Sequence, residues 1–538
     1  MIDFLITYFS DGINFIESIN WFFISYFFVI NSIYIILVGV SFFYIRRQQK
    51  YFTVFDLEGL FQSDLYKSIS ILTPAYNEEV NIIDSVEALL QLQYPDFEVV
   101  VINDGSTDNT LGKLKSHFEL YSVQVPEDLP IEHKPIRNVY RSRRYEYLIV
   151  VDKENGQKAD ALNAGINVST KELLCSIDAD SILDPDVLKK MLRAFIENDK
   201  LIAAGGIVRI ANGCTIENYI VKEVNVSKNY LARVQTVEYL RSFLFGRVGW
   251  DFFDSLLIIS GAFGVFDRQA VIEVKGYAHD TVGEDMELIV RLHRRFREKN
   301  KNYSIKFLPE PVCWTEVPEN WNDLSKQRNR WQRGLADSLW RHKKMLFNSS
   351  YGRLGLLAMP YFVFIELLGP VIEIAGYTYF LGLLITGNLN ETFALLFITV
   401  AILLGVILSI SALICEETIF RRYPTGKNIS ILTLFAFIEN FGYRQIHAWW
   451  RFKGVLDFIK GKKHWGDMVR LGLDQSDGSI IRKDNLGKVN LAEKLKLAGY
   501  RFTLFFIPGL LMLLIINVLV QFNALPEFFA IPLFKSVP

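Results

Sequence analysis

Residues Trp21 to Ile45 form an unbroken run without a single charged side chain. Such a run is long enough to cross a bilayer, where only a helix satisfies its own backbone within one segment. Arg46-Arg47 follow at once, which places that end in the cytoplasm. The run lacks a basic leading region and a small-residue cleavage site, so it reads as an anchor and not a removable signal peptide. Further spans are expected at about Pro360–Thr386, Glu391–Cys415 and Phe502–Val520. Arg341-His342-Lys343-Lys344 and Arg421-Arg422 are expected on the cytoplasmic side.

The stretch Ile429–Ile446 is apolar too, but residues 449–501 hold 12 Lys/Arg against 6 Asp/Glu. Spanning there would put that basic excess outside, so an interfacial or re-entrant segment is expected. The resulting plan has four spans and both termini outside. It comprises an N-terminal segment and membrane helix (1–45), a cytoplasmic domain (46–350) and membrane helices (351–420). An interfacial helix with a basic segment (421–501) and a last membrane helix with its tail (502–538) follow. The net charge of −1 offers no field for nucleic acid. Cys175, Cys214, Cys313 and Cys415 are scattered, without metal-ligand spacing, and are expected as reduced thiols.

Within 46–350, apolar strand patterns alternate with helical ones. Lys67–Thr73, Phe97–Ile102, Tyr147–Val151 and the run ending at Ile177 read as strands, and Ala203–Ile210 as another. Val80, Ile83, Val86 and Leu90 recur at helical spacing. The alternation predicts a mostly parallel α/β sheet with helices on both faces, whose ligands bind at the carboxyl ends of the strands. Four successive strand ends carry polar residues there: Tyr76/Glu78, Asp104, Lys158 and Asp178/Asp180.

Asp178 and Asp180 lie two apart after a buried strand, so an extended chain would point both the same way. Two hard oxygen ligands suit a magnesium ion that also takes oxygens from a diphosphate. Downstream, Leu231–Arg247 is basic and apolar, fitting the bilayer, the acceptor path or a core-packed amphipathic helix. Ser260-Gly261-Ala262-Phe263-Gly264 permits close backbone approach to a ligand. Gly283-Glu284-Asp285 opens a helix. On a helix Gln327, Arg330 and Trp331 share one face. A guanidinium there can grip a diphosphate, an amide can bond hydroxyls and an indole can stack on a sugar.

Together these residues resemble the family 2 processive glycosyltransferases, such as cellulose synthase, hyaluronan synthase and the poly-N-acetylglucosamine synthases. The shared pattern is an Asp in a DG turn, Asp-x-Asp, a third Asp in a GED context, and QxxRW. It appears here as Asp104, Asp178-Ala179-Asp180, Asp285 and Gln327/Arg330/Trp331, within roughly residues 67–345. The resemblance implies a Rossmann-like GT-A domain inserted between transmembrane helices. It also implies that Thr73, Tyr76, Glu78 and Asp104 hold the uracil and ribose of a UDP-sugar, with Lys158 near its phosphates. Asp178 and Asp180 would bind Mg2+ or Mn2+ and the nucleotide. Asp285, beside Glu284, would be the general base. Arg330 would contact the diphosphate, and Gln327, Trp331 and Gly261 the acceptor. One departure is Asn103, where the family commonly has a first Asp.

Glu366 and Glu373 lie seven apart in an expected span, either lining a polar cavity or bonding neighbouring helices. Lys462-Lys463-His464-Trp465-Gly466 is similar to the gating loop of hyaluronan synthases, or is a membrane-surface anchor. The resemblance implies a multi-pass enzyme of a bacterial inner (plasma) membrane. From a UDP-sugar, UDP-N-acetylglucosamine or UDP-glucose, it would elongate and export a β-linked polysaccharide, with accessory export or regulatory proteins as possible partners. Single transfer to a lipid acceptor is the alternative enzyme reading. A non-catalytic component that conducts polymer made elsewhere is the other.

Overall fold

The computed structural model describes residues 2–52, 66–127, 129–217 and 219–462. Its centre is a ten-stranded mixed sheet in the order β3-β4-β5-β2-β1-β6-β11-β8-β12-β7. The strands are β1 (Ile69–Ala75), β2 (Phe97–Asp104), β3 (Leu120–Val123), β4 (Ile136–Ser142), β5 (Leu148–Lys153), β6 (Leu173–Ile177), β7 (Ser181–Leu183), β8 (Leu201–Ile210), β11 (Phe263–Asp267) and β12 (Ser304–Thr315). A separate hairpin pairs β9 (Thr215–Glu217) with β10 (Ile220–Glu223).

The four neighbours β5, β2, β1 and β6 are mutually parallel. Val99 through Ile102 on β2 and Leu148 through Val151 on β5 are buried, as strands covered on both faces require. Their carboxyl ends therefore lie along one edge, in the order that carries Lys153, Asp104, Ala75 and Ile177. Around this core the pairing turns antiparallel, at β3–β4, β4–β5, β6–β11, β8–β11 and β7–β12. Strands β3 and β4 escape the sequence reading because β3 is only four residues long and half-exposed, and β4 is interrupted by Arg137 and Arg141, so no apolar run marks them. Helix Ile82–Leu90 packs through Ile82, Val86, Leu89 and Leu90, whereas Val80, expected on that face, lies before the helix and is exposed.

Among the described residues three helices are long and apolar enough to cross a membrane: Ile16–Gln48, Leu354–Ile385 and Glu391–Ile419. The first belongs to a continuous helix that runs through Arg46-Arg47 to Phe52. The second is interrupted by π-helical turns at Leu354–Ala358 and Phe362–Leu367. The expected interfacial segment 429–446 is not one element. Helix Gly426–Ile438 has 13 residues, about 20 Å at 1.5 Å per residue, too short for a bilayer core of about 30 Å. After a turn in which Gly442 takes φ +88°, a second helix, Tyr443–Ile459, packs along helix Trp321–Arg341. The expected span at 502–520 and the His464/Trp465 loop lie outside the described residues.

The basic-apolar stretch forms helix Tyr230–Arg241 and the π turn Ser242–Arg247, with Arg233, Arg241 and Arg247 lining a cavity. Val237, Leu240, Phe243 and Leu244 are buried against β8 and the apolar helix Leu404–Ile419. One ion pair ties the sheet to these helices and another ties helix Tyr230–Arg241 to the end of helix Gly426–Ile438. Arg209 on β8 meets Glu416 through two hydrogen bonds of 3.0 and 2.7 Å, and Arg241 pairs with Glu439. All four cysteines are free thiols.

Candidate active site

One continuous cavity of ≈ 2820 Å³ opens at the carboxyl ends of the parallel strands and extends between the apolar helices. Tyr76, Glu78, Asp104, Lys158, Asp178, Asp180, Gly261, Glu284, Asp285, Gln327, Arg330 and Trp331 all line it. Of the residues singled out from sequence within the described segments, Thr73 does not. It sits within β1, 1% exposed, and its hydroxyl lacks a hydrogen-bond partner.

The Asp178-Ala179-Asp180 segment is a turn between β6 and β7, closed by the Ser181 N–H donating to the Asp178 carbonyl at 3.0 Å. The two carboxylates thus share the cavity through a turn, not through strand alternation. Among the described residues no group of three or more His, Cys, Asp or Glu could hold a metal. Two carboxylates opening on a cavity fit a hard cation that takes its remaining oxygens from a substrate.

Lys158, in the first turn of helix Gln157–Val168, forms an ion pair with Asp178 and donates to the Gly261 carbonyl at 3.0 Å. Burial alone would lower its pKa, but Asp178, Glu284 and Asp285 outweigh burial and hold it above the ordinary lysine value. The Gly261 N–H donates to Asp285 Oδ2 at 3.1 Å, while Asp285 Oδ1 accepts from the Met286 N–H at 2.8 Å. Gly261 thereby links the lysine to the candidate base with its two backbone groups. A Cβ on it would stand 3.1 Å from Lys158 Nζ and 3.4 Å from Asp285 Oδ2. Beside it, burial pushes the Glu284 carboxyl up, reinforced by Asp285 and opposed by Lys158 and Arg330.

Asp104 is 3% exposed. Its carboxylate accepts from Lys153 Nζ at 2.8 Å, Gly156 N–H at 3.0 Å and Gln157 N–H at 2.8 Å. It therefore fixes the turn that presents Lys158. Lys153 is fully buried and also pairs with Asp160. No signal short of the fold could join these three residues, which come from two strands and a helix.

Helix Trp321–Arg341 borders the cavity with Gln327 and Arg330 half-buried and Trp331 exposed toward it. Gly334 of this helix touches Gly283, the N-cap of the helix that carries Asp285, backbone against backbone. Between the apolar helices the cavity is lined by Asn31, Tyr34, Glu366, Glu373, Arg444 and Arg451. Glu366 accepts from Tyr34 Oη at 2.9 Å, Tyr361 Oη at 3.0 Å and Arg451 Nη2 at 3.0 Å. Both readings of Glu366 thus hold together, since it faces a polar cavity and bonds neighbouring helices. Arg451 also donates to Gln332 Oε1 at 2.8 Å. Arg451, Arg328 and Glu238 went unnoticed in the sequence, where isolated charges carry no pattern.

Residues 70–270 match the family model Glycosyl transferase family 2, and residues 173–408 match Glycosyl transferase family group 2. A poly-beta-1,6-N-acetyl-D-glucosamine synthase of Staphylococcus aureus (strain COL) is 32% identical over 321 residues, covering 58% of this chain and 65% of the relative. The enzyme of the same name from Staphylococcus epidermidis is 30% identical over 312 residues, covering 58% and 64%. The chain thus spans about two thirds, slightly less, of the curated relatives it matches. A solved mannosyltransferase from Pyrobaculum calidifontis, in complex with GDP-Man and Mn2+, is 16% identical. It covers 80% of this chain and 99% of its own, at a TM-score of 0.42. Between them the matched models span the sheet, its acidic turn and the Asp285 helix, so this mostly parallel α/β domain, flanked by apolar helices, is similar to the glycosyl transferase family 2 domain.

Proposed function

We propose that this protein is a membrane-embedded inverting glycosyltransferase that elongates a β-linked polysaccharide from a UDP-sugar and passes the product toward the membrane. The observation that carries this reading is the single cavity, which joins the acidic turn and Asp285 to polar side chains between three helices long enough to span a bilayer. The similar synthases make UDP-N-acetylglucosamine the first donor to test. The catalytic domain would face the cytoplasm of a plasma membrane, on the side of Arg46-Arg47.

In this reading Tyr76, Glu78 and Asp104 lie toward the nucleoside, with Thr73 behind them in β1. Asp178 and Asp180 would hold Mg2+ or Mn2+, which supplies charge neutralisation for the leaving diphosphate. Lys158 and Arg330 add positive charge on the same side. Gln327 and Trp331 hold the acceptor sugar by an amide and an aromatic face. A sugar hydroxyl needs a base within hydrogen-bond reach. Asp285 takes the proton, oriented by the Gly261 N–H. In-line attack at the anomeric carbon converts an α-linked donor to a β-glycoside. Glu284, whose carboxyl burial pushes above the ordinary value, lines the cavity beside the base.

The test uses purified full-length protein in nanodiscs with Mg2+ or Mn2+. UDP-N-acetylglucosamine, UDP-glucose, UDP-galactose and UDP-glucuronate are offered singly and in pairs, with UDP release and product size followed. A long polymer from one donor, reduced about 10²–10⁴-fold by Asp285→Asn, is the expected result. A lipid-extractable single-sugar product would replace polymer synthesis with lipid glycosylation. An Asp285→Asn protein as active as wild type would remove the assigned base.

A further inference from the structure

Gln327 and Trp331 flank a residue that touches both. Arg328, on the same helix, is 1% exposed. Its Nη1 donates to Gln327 Oε1 at 2.8 Å, and its guanidinium carbon lies 4.2 Å from the centroid of the Trp331 ring. Its Nη2 donates to Glu238 Oε2 at 3.0 Å and approaches Gln235 Oε1 at 3.4 Å. The guanidinium is therefore held from one side and holds two cavity-lining side chains on the other.

Glu238 is itself anchored. It accepts from Tyr443 Oη at 3.0 Å, and His447 Nε2 stands 3.6 Å away. Burial would raise its carboxyl, but Arg328 first, then His447 and Arg241, hold it down to about 2. Burial pushes His447 down to about 3, so the imidazole is neutral at working pH. One buried anion and one buried cation thus face each other behind the acceptor surface. Three separate helices supply the parts: Tyr230–Arg241, Trp321–Arg341 and Tyr443–Ile459.

We propose that Arg328, clamped by Glu238, is a positioning residue that sets the Gln327 amide and the Trp331 ring for the incoming acceptor sugar. The inference rests on the acceptor role proposed above for those two side chains. Arginine suits the task because a planar guanidinium donates in several directions while lying over an indole face. Lysine keeps the charge toward Glu238 but cannot lie flat on the ring while bonding Gln327.

The experiment uses the full-length protein in nanodiscs, UDP-N-acetylglucosamine, and a β-1,6-linked N-acetylglucosamine pentamer as acceptor probe. For Arg328→Lys, kcat/KM for the pentamer is expected to fall about tenfold or more. KM for the donor and pentamer-free UDP release should stay within about twofold, a split that mere loss of fold cannot produce. Tyr443→Phe removes one bond to Glu238 and leaves no buried charge bare. It should lower the same parameter about two- to fivefold, and it decides the matter if Arg328→Lys does not fold. Unchanged pentamer kinetics in the folded variants, or donor and acceptor parameters falling in parallel, would overturn the assignment. A wild-type protein that releases UDP yet ignores the pentamer would refute the acceptor role of Gln327 and Trp331, and this inference with it. Activity of the wild type with an unaffected Arg328→Lys protein would sink the inference alone.

Discussion

Substituting Gly334 tests whether the two halves of the site are held in register by their backbones. Helix Trp321–Arg341 carries Gln327, Arg330 and Trp331, while the helix capped by Gly283 carries Asp285. A Cβ on Gly334 would stand 2.8 Å from Gly283 Cα and 3.1 Å from its nitrogen. Neither is a flexible side-chain end that can swing away. Relief from 2.8 Å to the 3.4 Å of ordinary contact requires the helices to part by about 0.6 Å. A misplacement of about 1 Å costs roughly 10²-fold in rate, so Gly334→Ala should lower kcat about tenfold. Overpacking should also cost roughly 1–3 kcal/mol of stability. Arg330 rides on the displaced helix, so KM for the donor should rise too, by about two- to fivefold. UDP release and polymer formation in nanodiscs, alongside a thermal melt, measure all three. A Gly334→Ala protein with wild-type kcat would show that the glycine contact does not set the geometry of the site. A normal kcat with a lowered melting temperature would confine its role to packing.

The remaining expectations concern buried charge. Glu416→Ala would strand Arg209, 2% exposed, without its bidentate partner. It should cost about 3–5 kcal/mol, whereas Arg209→Met with Glu416→Leu should be close to neutral; melting in detergent distinguishes the two. Asp251 is fully buried, and burial pushes its carboxyl from 3.8 up to about 6 despite Lys306 at 3.5 Å. Because the folded value lies above the unfolded one, its contribution is fully present below about pH 4 and is lost as pH rises through about 6, by roughly 3 kcal/mol. Asp251→Asn should therefore raise the melting temperature at pH 7.5 relative to wild type more than at pH 4.5. A pH-independent difference would contradict the assignment.

Periodicity and composition settle what is local. An uncharged apolar run must become a helix in a bilayer, whatever its neighbours, because its backbone polar groups have no other partner. Runs such as Val99-Val100-Val101-Ile102 must be buried strands, and a polar residue just after such a run must sit at a sheet edge. Hence the alternating α/β order, the four strand ends with their polar residues and the shared face of Gln327, Arg330 and Trp331 were all legible along the chain. Pairings between distant segments were not. Nothing local couples Gly261 to both Lys158 and Asp285, Gly283 to Gly334, or Arg209 to Glu416, because each contact is selected by packing between elements far apart in sequence. The same holds for Asp178 and Asp180, which meet the cavity through a turn that only the antiparallel β7–β12 pairing defines. Single charged residues such as Glu238 and Arg328 look solvated when read in line. Their meaning came from tertiary structure, because a buried ion is tolerated only where other elements bring its counter-charge and hydrogen-bond partners.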